Sequence, residues 1–241
     1  MSLSFHYHPD ILARYPNLHG GIILAHDLAN QPTPPELQQA FLEEQYAVLR
    51  RLGSTPLSEV KPLAAWRAAF RDFGVDPTKY RSAAEALLRR LTKKGDIPSI
   101  NTLVDLCNLV SIRYALPVAA CDNRVLQGSI TVHFAQGTEV FKPLGEADVE
   151  YPDTGEVIFT AGSEVVVARR WCWRQSEESA ARLDTRQAIF TVEAQHADSR
   201  ADIQSALRDL LDLLQKYSGG RFTSGVLGEG QLEISDFNPF A

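Results

Sequence analysis

Two groups of residues in this sequence have the types and spacing to do chemistry. The first is cationic. Between Lys61 and Lys94 there are nine basic residues and three acidic ones, Asp72, Asp76 and Glu85. The whole chain carries a net charge of −6, so its basic residues are concentrated locally. A basic segment in an acidic chain predicts a face for anions, phosphates above all. Lys79, Arg81, Arg89, Arg90, Lys93 and Lys94 are the residues expected to make those contacts. The alternative is a solvated helical face with no ligand. The second group is aromatic: Trp171 and Trp173 stand among Arg169, Arg170 and Arg174. Indoles beside guanidinium groups can stack nucleobases. The simpler expectation is a strand that turns both tryptophans onto the core.

Other reactive side chains are scattered. The six histidines include His6 and His8, which share a strand face, but there is no HExxH or HxxxH spacing. Cys107, Cys121 and Cys172 form no CxxC pair and are expected to be reduced core thiols. There is no GxSxG elbow and no phosphate-binding P-loop. The run Gly225-Val226-Leu227-Gly228-Glu229-Gly230 is read as a turn. No metal or cofactor is expected. Asn108 is notable because it sits in an otherwise apolar stretch, Leu106 to Val110, where a buried amide needs partners.

The elements that must position these residues follow from periodicity and caps. Short strands are expected over residues 5–8 and 20–25. A helix opens at Thr33-Pro34-Pro35, with Thr33 as its N-cap, and ends at Gly53. A second helix covers 63–73. Ser82-Ala83-Ala84-Glu85 is a capping box ahead of Leu87, Leu88 and Leu91, and Lys93-Lys94-Gly95 ends that helix. Asn101 caps a helix from Leu103 to about Tyr114. Strands rich in β-branched and aromatic residues follow at 129–134, 156–160, 164–168 and 187–194. An amphipathic helix over 201–217 comes last. Helices first, strands next and a terminal helix predict an α+β fold, with a mixed or antiparallel sheet built mainly from residues 118–194 and packed with helices. The expectation is one domain over residues 1–241.

The central stretch is more specific. Phe70-Arg71-Asp72-Phe73-Gly74-Val75-Asp76-Pro77 leads to Ile97-Pro98-Ser99-Ile100-Asn101-Thr102-Leu103-Val104-Asp105, then Cys107-Asn108, Leu116-Pro117 and Cys121-Asp122. This resembles the B3/B4 domain family, the tRNA-editing domain of the phenylalanyl-tRNA synthetase beta subunit. The likeness is strongest over residues 70–193, and residues 1–60 carry none of it. It implies a free-standing domain of α+β fold, a tRNA partner and ester hydrolysis. Carried over position by position, the family's Thr-Asn pair falls on Cys107 and Asn108. Its pocket histidine falls on Ala119, so that histidine is lost. Its two glycines fall near Gln175 and Ser176. Its glutamate falls on Thr191, or on Glu193 after a two-residue shift. Its late threonine and alanine fall near Thr223 and Gly225. The resemblance therefore implies Asn108 and Glu193 as catalytic residues, and Cys107, Ala119, Gln175, Ser176, Thr191, Thr223 and Gly225 as the substrate pocket. The changed residues argue against tyrosine as the substrate.

Composition narrows the classes. Of 241 residues, 44% are hydrophobic and 22% charged, which excludes a disordered chain and a disulfide scaffold. The longest apolar runs are too short for a membrane helix, and the start of the chain has no secretory signal, so a cytoplasmic location is expected. Three readings remain open: a trans-acting deacylase of mischarged, aminoacylated tRNA, a non-catalytic tRNA- or RNA-binding module, and a small amino-acid-binding protein. Sequence leaves the oligomeric state undetermined.

Overall fold

The computed structural model describes residues 2–124, 126–162 and 165–236. Among these described residues ten strands form two sheets. The four-stranded sheet has the order β3 (Val118–Asp122), β8 (Ala188–Ala194), β2 (His19–His26), β9 (Arg221–Leu227), all antiparallel. The six-stranded sheet has the order β10 (Glu233–Ser235), β1 (Ser4–Tyr7), β4 (Ser129–Phe134), β5 (Val157–Ala161), β6 (Val165–Arg169), β7 (Arg174–Gln175). It is mixed, because β1 and β4 run parallel. The fold class is α+β, as the order of elements predicts.

Period-2 alternation divides the central strands of the four-stranded sheet between two cores. On β2, Ile23 and Ala25 face one core and Ile22 and Leu24 the other. On β8, Phe190 and Val192 face the first and Ile189 the second. The first core lies between the four-stranded sheet and helices α2 (Pro35–Leu52), α4 (Ala83–Lys94), α5 (Thr102–Tyr114) and α6 (Ser199–Tyr217). The second lies between the two sheets and is closed by α1 (Pro9–Arg14) and α3 (Lys61–Asp72). Both cores draw on residues before and after Pro117. Among the described residues no helix is long and apolar enough to cross a membrane.

Several local expectations meet their elements, and two are corrected. Ser82 accepts from the Glu85 amide, Gly95 ends α4 in the left-handed conformation, and Asn101 caps α5. Thr33 is not a cap: α2 starts one residue later, from Pro34, and the Thr33 hydroxyl instead donates to Asp105 at 2.6 Å. Residues 225–227 are not a turn but the end of β9, held in register against Gly20–Ile22. Six of the ten described strands, β3 to β8, come from residues 118–194, as expected. The N-terminal strands β1 and β2 lie inside the two sheets, and the late strands β9 and β10 form edges. Glu164, expected to open the β6 strand, lies outside the described residues.

Candidate functional site

Glu193 lies on β8, on the face that looks into the inter-sheet core. Its side chain is 1% exposed. The Tyr7 hydroxyl donates to Glu193 Oε1 at 2.7 Å, and Trp171 Nε1–H donates to the same oxygen at 3.0 Å. Oε2 makes no hydrogen bond among the described residues. Burial pushes the Glu193 carboxyl up to about 7, against the downward pull of the two donors. The surroundings supply little else that is polar: Phe5, Phe159 and Trp171 belong to the same core.

The backbone makes room for this arrangement at two places. Gly20 is the β-pair partner of Glu193. A Cβ at Gly20 would overlap the Tyr7 hydroxyl, so the glycine is what lets the tyrosine reach the carboxylate. Gly20→Ala is expected to destabilise the protein by about 3 kcal/mol, from overpacking and the displaced hydrogen bond. Chemical denaturation measures this; a loss under roughly 1 kcal/mol would mean that the tyrosine simply moves aside. The second place is the turn after β6, where Arg170 and Trp171 have φ of 46° and 59°. Non-glycine residues rarely take that conformation, and two in succession need external support. The buried Glu156 carboxylate supplies it, accepting from the Arg170 amide at 2.8 Å and from Arg169 Nε at 3.0 Å. This turn breaks the two-residue alternation expected for Trp171 and Trp173. Trp171 is driven into the core, whereas Trp173 stays half-buried beside the Arg170 and Arg174 guanidinium groups, 4.5 and 4.8 Å from its ring centre.

Glu193 lines a cavity of about 90 Å³, room for roughly three waters. Ala119, Thr191, Cys172, Trp173 and Gln175 also line it. Ala119 and Thr191 are β-pair partners, so they share the sheet face of Glu193. Burial holds the Cys172 thiol well above its ordinary value, which makes it a poor nucleophile. Both N–H bonds of the Gln175 amide are spent on the carbonyls of Ala120 and Ser179, at 2.8 and 2.7 Å. Gln175 is therefore a wall and not a free donor.

Four of the residues expected in this pocket lie elsewhere, as does Asn108. Cys107 and Asn108 are on α5, whose apolar residues pack on the opposite face of the four-stranded sheet. Cys107 is buried in that helical core, and Asn108 is half-buried outside the cavity lining. The apolar neighbours of Asn108 belong to a helix buried around much of its circumference, which is why its surroundings resembled a pocket. Ser176 is buried at an isolated β-bridge with Pro143, with its hydroxyl 2.9 Å from that of Ser179, and its amide is taken by the Val167 carbonyl. Thr223 and Gly225 are on β9, two strands from β8 and about 10 Å away. Gly225 falls in one row with Ile22, Thr191 and Ala119, but Ile234 lies against it. Tyr7, Gly20 and Trp171 complete the Glu193 site, and sequence reasoning did not connect them to it.

The six basic residues named from sequence come together. Lys79, Arg81, Arg89, Arg90, Lys93 and Lys94 line one groove of about 420 Å³. The α4 contribution follows from helical spacing: positions 86, 89, 90, 93 and 94 share one face. Ion pairing leaves much of this charge open, since within the six Arg81 approaches Glu85 at 3.8 Å and Arg90 approaches Asp96 at 3.5 Å. Trp173 lines this groove as well as the Glu193 cavity. Arg170 also lies 3.8 Å from the centre of the Tyr80 ring. Among the described residues no group of three or more histidine, cysteine or acidic side chains could hold a metal.

No curated protein matches the chain. Among solved structures, an N-terminal fragment of the phenylalanyl-tRNA synthetase beta subunit from Pyrococcus horikoshii aligns at a TM-score of 0.46 and 9% identity. That alignment covers 97% of this chain and 54% of the other, so the chain spans about half the length of that fragment. The model of the B3/4 domain matches residues 65–219, well over half of the sequence, and this chain belongs to the B3/4 domain family.

Proposed function

We propose that this protein binds aminoacylated tRNA and hydrolyses the ester of a mischarged amino acid in trans. The observation that carries the reading is the shared wall at Trp173. A groove of six cations suits the phosphates of an RNA end. It adjoins a small, largely apolar cavity containing a buried carboxylate, which suits an amino-acid side chain and the ester beside it. In the reaction, water adds to the ester carbonyl carbon and gives its proton to Glu193 Oε2. The carbonyl electron pair moves onto oxygen. Collapse of that intermediate expels the terminal ribose oxygen, which takes the proton back from Glu193. The products are the free amino acid and uncharged tRNA. A base poised near neutrality is well matched to that proton transfer. The Thr191 hydroxyl, on the same sheet face, is one side-chain donor for the oxyanion, and the Arg174 guanidinium lines the same cavity.

The deciding experiment is a panel of mischarged tRNAs, following loss of each amino acid with time. Release of at least one amino acid well above the rate without protein is expected, and Tyr-tRNA is not expected to be the best substrate. Binding without release from any tRNA would favour the second reading, a non-catalytic RNA-binding module. The observation behind that reading is the absence of an imidazole from the cavity, where Ala119 stands. The gathering of the six cations on one groove favours either RNA reading over a small amino-acid-binding protein.

Under the catalytic reading the rate rises with pH through about 7, because Glu193 acts in its ionised form. The Tyr7 hydrogen bond favours that form, so Tyr7→Phe raises the carboxyl pKa and moves the rising limb to higher pH. At pH 6 the variant is therefore slower than wild type, and at pH 9 the two converge. A limb that stays in place would remove Tyr7 from the mechanism.

A further inference from the structure

The size of the Glu193 cavity and the stiffness of its walls together select an amino acid. A volume of about 90 Å³ is roughly three water volumes, so the cavity takes about three non-hydrogen atoms. A cavity that holds a benzene ring measures about 150 Å³. The ester must also reach Glu193, so the room left for a side chain has an upper limit of about three such atoms.

The inner end cannot easily widen. It is closed by the buried side chains of Phe159, Ala168, Trp171 and Thr191. Trp171 stands edge-on to both Tyr15 and Trp66, with ring centres 4.9 and 5.2 Å away, and its indole N–H is held by Glu193. Phe159 packs edge-on against Phe5 at 5.8 Å. Gln175 is tied by its two hydrogen bonds. An interior packed in this way resists an extra methylene group. Exposure rises towards the mouth, where Val118, Ala119 and Cys172 are half-buried and Arg174 is exposed. The open space exists because small residues line it. Ala119 pairs with Thr191 and shares its sheet face, so a larger side chain at Ala119 would enter the cavity.

Polarity narrows the class again. An apolar pocket discriminates weakly between a methyl group and a hydroxyl of the same shape, so valine and threonine are both admitted. An aspartate side chain would set a second carboxylate beside that of Glu193, which like charge opposes.

We propose that the amino acid accepted here is small, namely alanine, serine, cysteine, threonine or valine, and that leucine and all aromatic side chains are excluded. The proposal rests on the reading of this cavity as the seat of the aminoacyl ester.

The test uses RNA hairpins with a single-stranded acceptor end that carries the amino acid through a non-hydrolysable amide. Alanine, threonine, valine, leucine, phenylalanine and tyrosine conjugates are compared with the uncharged hairpin by calorimetry. The first three are expected to bind at least about tenfold tighter than the last three. Ala119→Val should weaken the valine conjugate about tenfold or more and leave the alanine conjugate within about threefold of wild type. Phe159→Leu should admit the leucine conjugate. If that core change fails to fold, Ala119→Val still decides, because β3 is an edge strand and valine suits a strand. The same amino acids are then followed as esters on tRNA. A small-side-chain preference in binding with no ester released would keep the size limit and refute the hydrolysis. Release led by leucine or an aromatic amino acid would keep the hydrolysis and refute the size limit. Conjugates that all bind like the uncharged hairpin, or a ratio of valine to alanine affinity that Ala119→Val leaves unchanged, would overturn the proposal as well.

Discussion

Glu193→Gln is expected to lower deacylation by about 10²- to 10⁴-fold, the usual contribution of a positioned general base, while tRNA affinity changes little. The substitution keeps an amide oxygen that can still accept from Tyr7 and Trp171, so it removes the ionisable function and spares the hydrogen bonds. The same change alters stability in a way that depends on pH. Folding raises the Glu193 carboxyl from 4.5 to about 7, so it favours the protonated form. That contribution is fully present below pH 4.5 and is lost as pH rises through about 7. A rise of that size corresponds to about 3 kcal/mol, as an upper figure. The glutamine cannot ionise and keeps its stability. At pH 8.5 the variant should therefore melt several degrees above wild type, and at pH 4 the two should melt alike. Wild-type activity together with a wild-type slope of stability against pH would take Glu193 out of both roles. Asn108→Ala is the companion control: with its helix across the sheet from the cavity, it should leave the rate where it was.

What the sequence made legible was local. The α4 helix announces itself by Ser82, by its leucines and by Gly95, and its basic face follows from helical spacing alone. These are features that neighbouring residues settle among themselves. The Glu193 site is different in kind. Tyr7 and Glu193 are 186 residues apart and meet because β1 and β8 sit in two sheets packed face to face. Nothing in either neighbourhood encodes that meeting. Gly20 looked like an ordinary strand glycine, and its purpose emerges only once the Tyr7 hydroxyl lies over it. The first sixty residues lie before the family match, yet they contribute β1, β2 and α2, and through Tyr7 they complete the site. Trp173 was misplaced for a related reason. Period-2 spacing with Trp171 implied one strand face, but the two left-handed residues at 170 and 171 rotate it outward, and the buried Glu156 that supports them stands before the preceding strand β5, outside their immediate neighbourhood.

Reversing Arg89, Arg90 and Lys93 to glutamate together should weaken tRNA binding by about 10²-fold or more at physiological salt, and should flatten its salt dependence. The reasoning begins with counterions. Each phosphate neutralised by a lysine or arginine releases condensed cations, which adds about 0.7–0.9 to the slope of log affinity against log salt. Losing three such contacts takes about two to three units from that slope. The fall in affinity exceeds simple loss, because three new carboxylates repel the phosphates that remain. The change also has a local cost. Acidic groups near the C-terminal end of α4 oppose the helix dipole, and the new carboxylates at positions 89 and 93 would be like charges one turn apart, each effect worth about 0.3–1 kcal/mol. Neutralising the same three residues to glutamine separates the two causes, since it removes the phosphate contacts with little strain on the helix. If the groove binds the RNA end, the glutamine variant already loses most of the slope and the glutamate variant loses further affinity. Arg208→Glu, on the exposed side of α6, should change neither. A glutamine variant with wild-type affinity and slope would leave the six cations as a solvated face, and the link through Trp173 to the Glu193 cavity would have no RNA to carry.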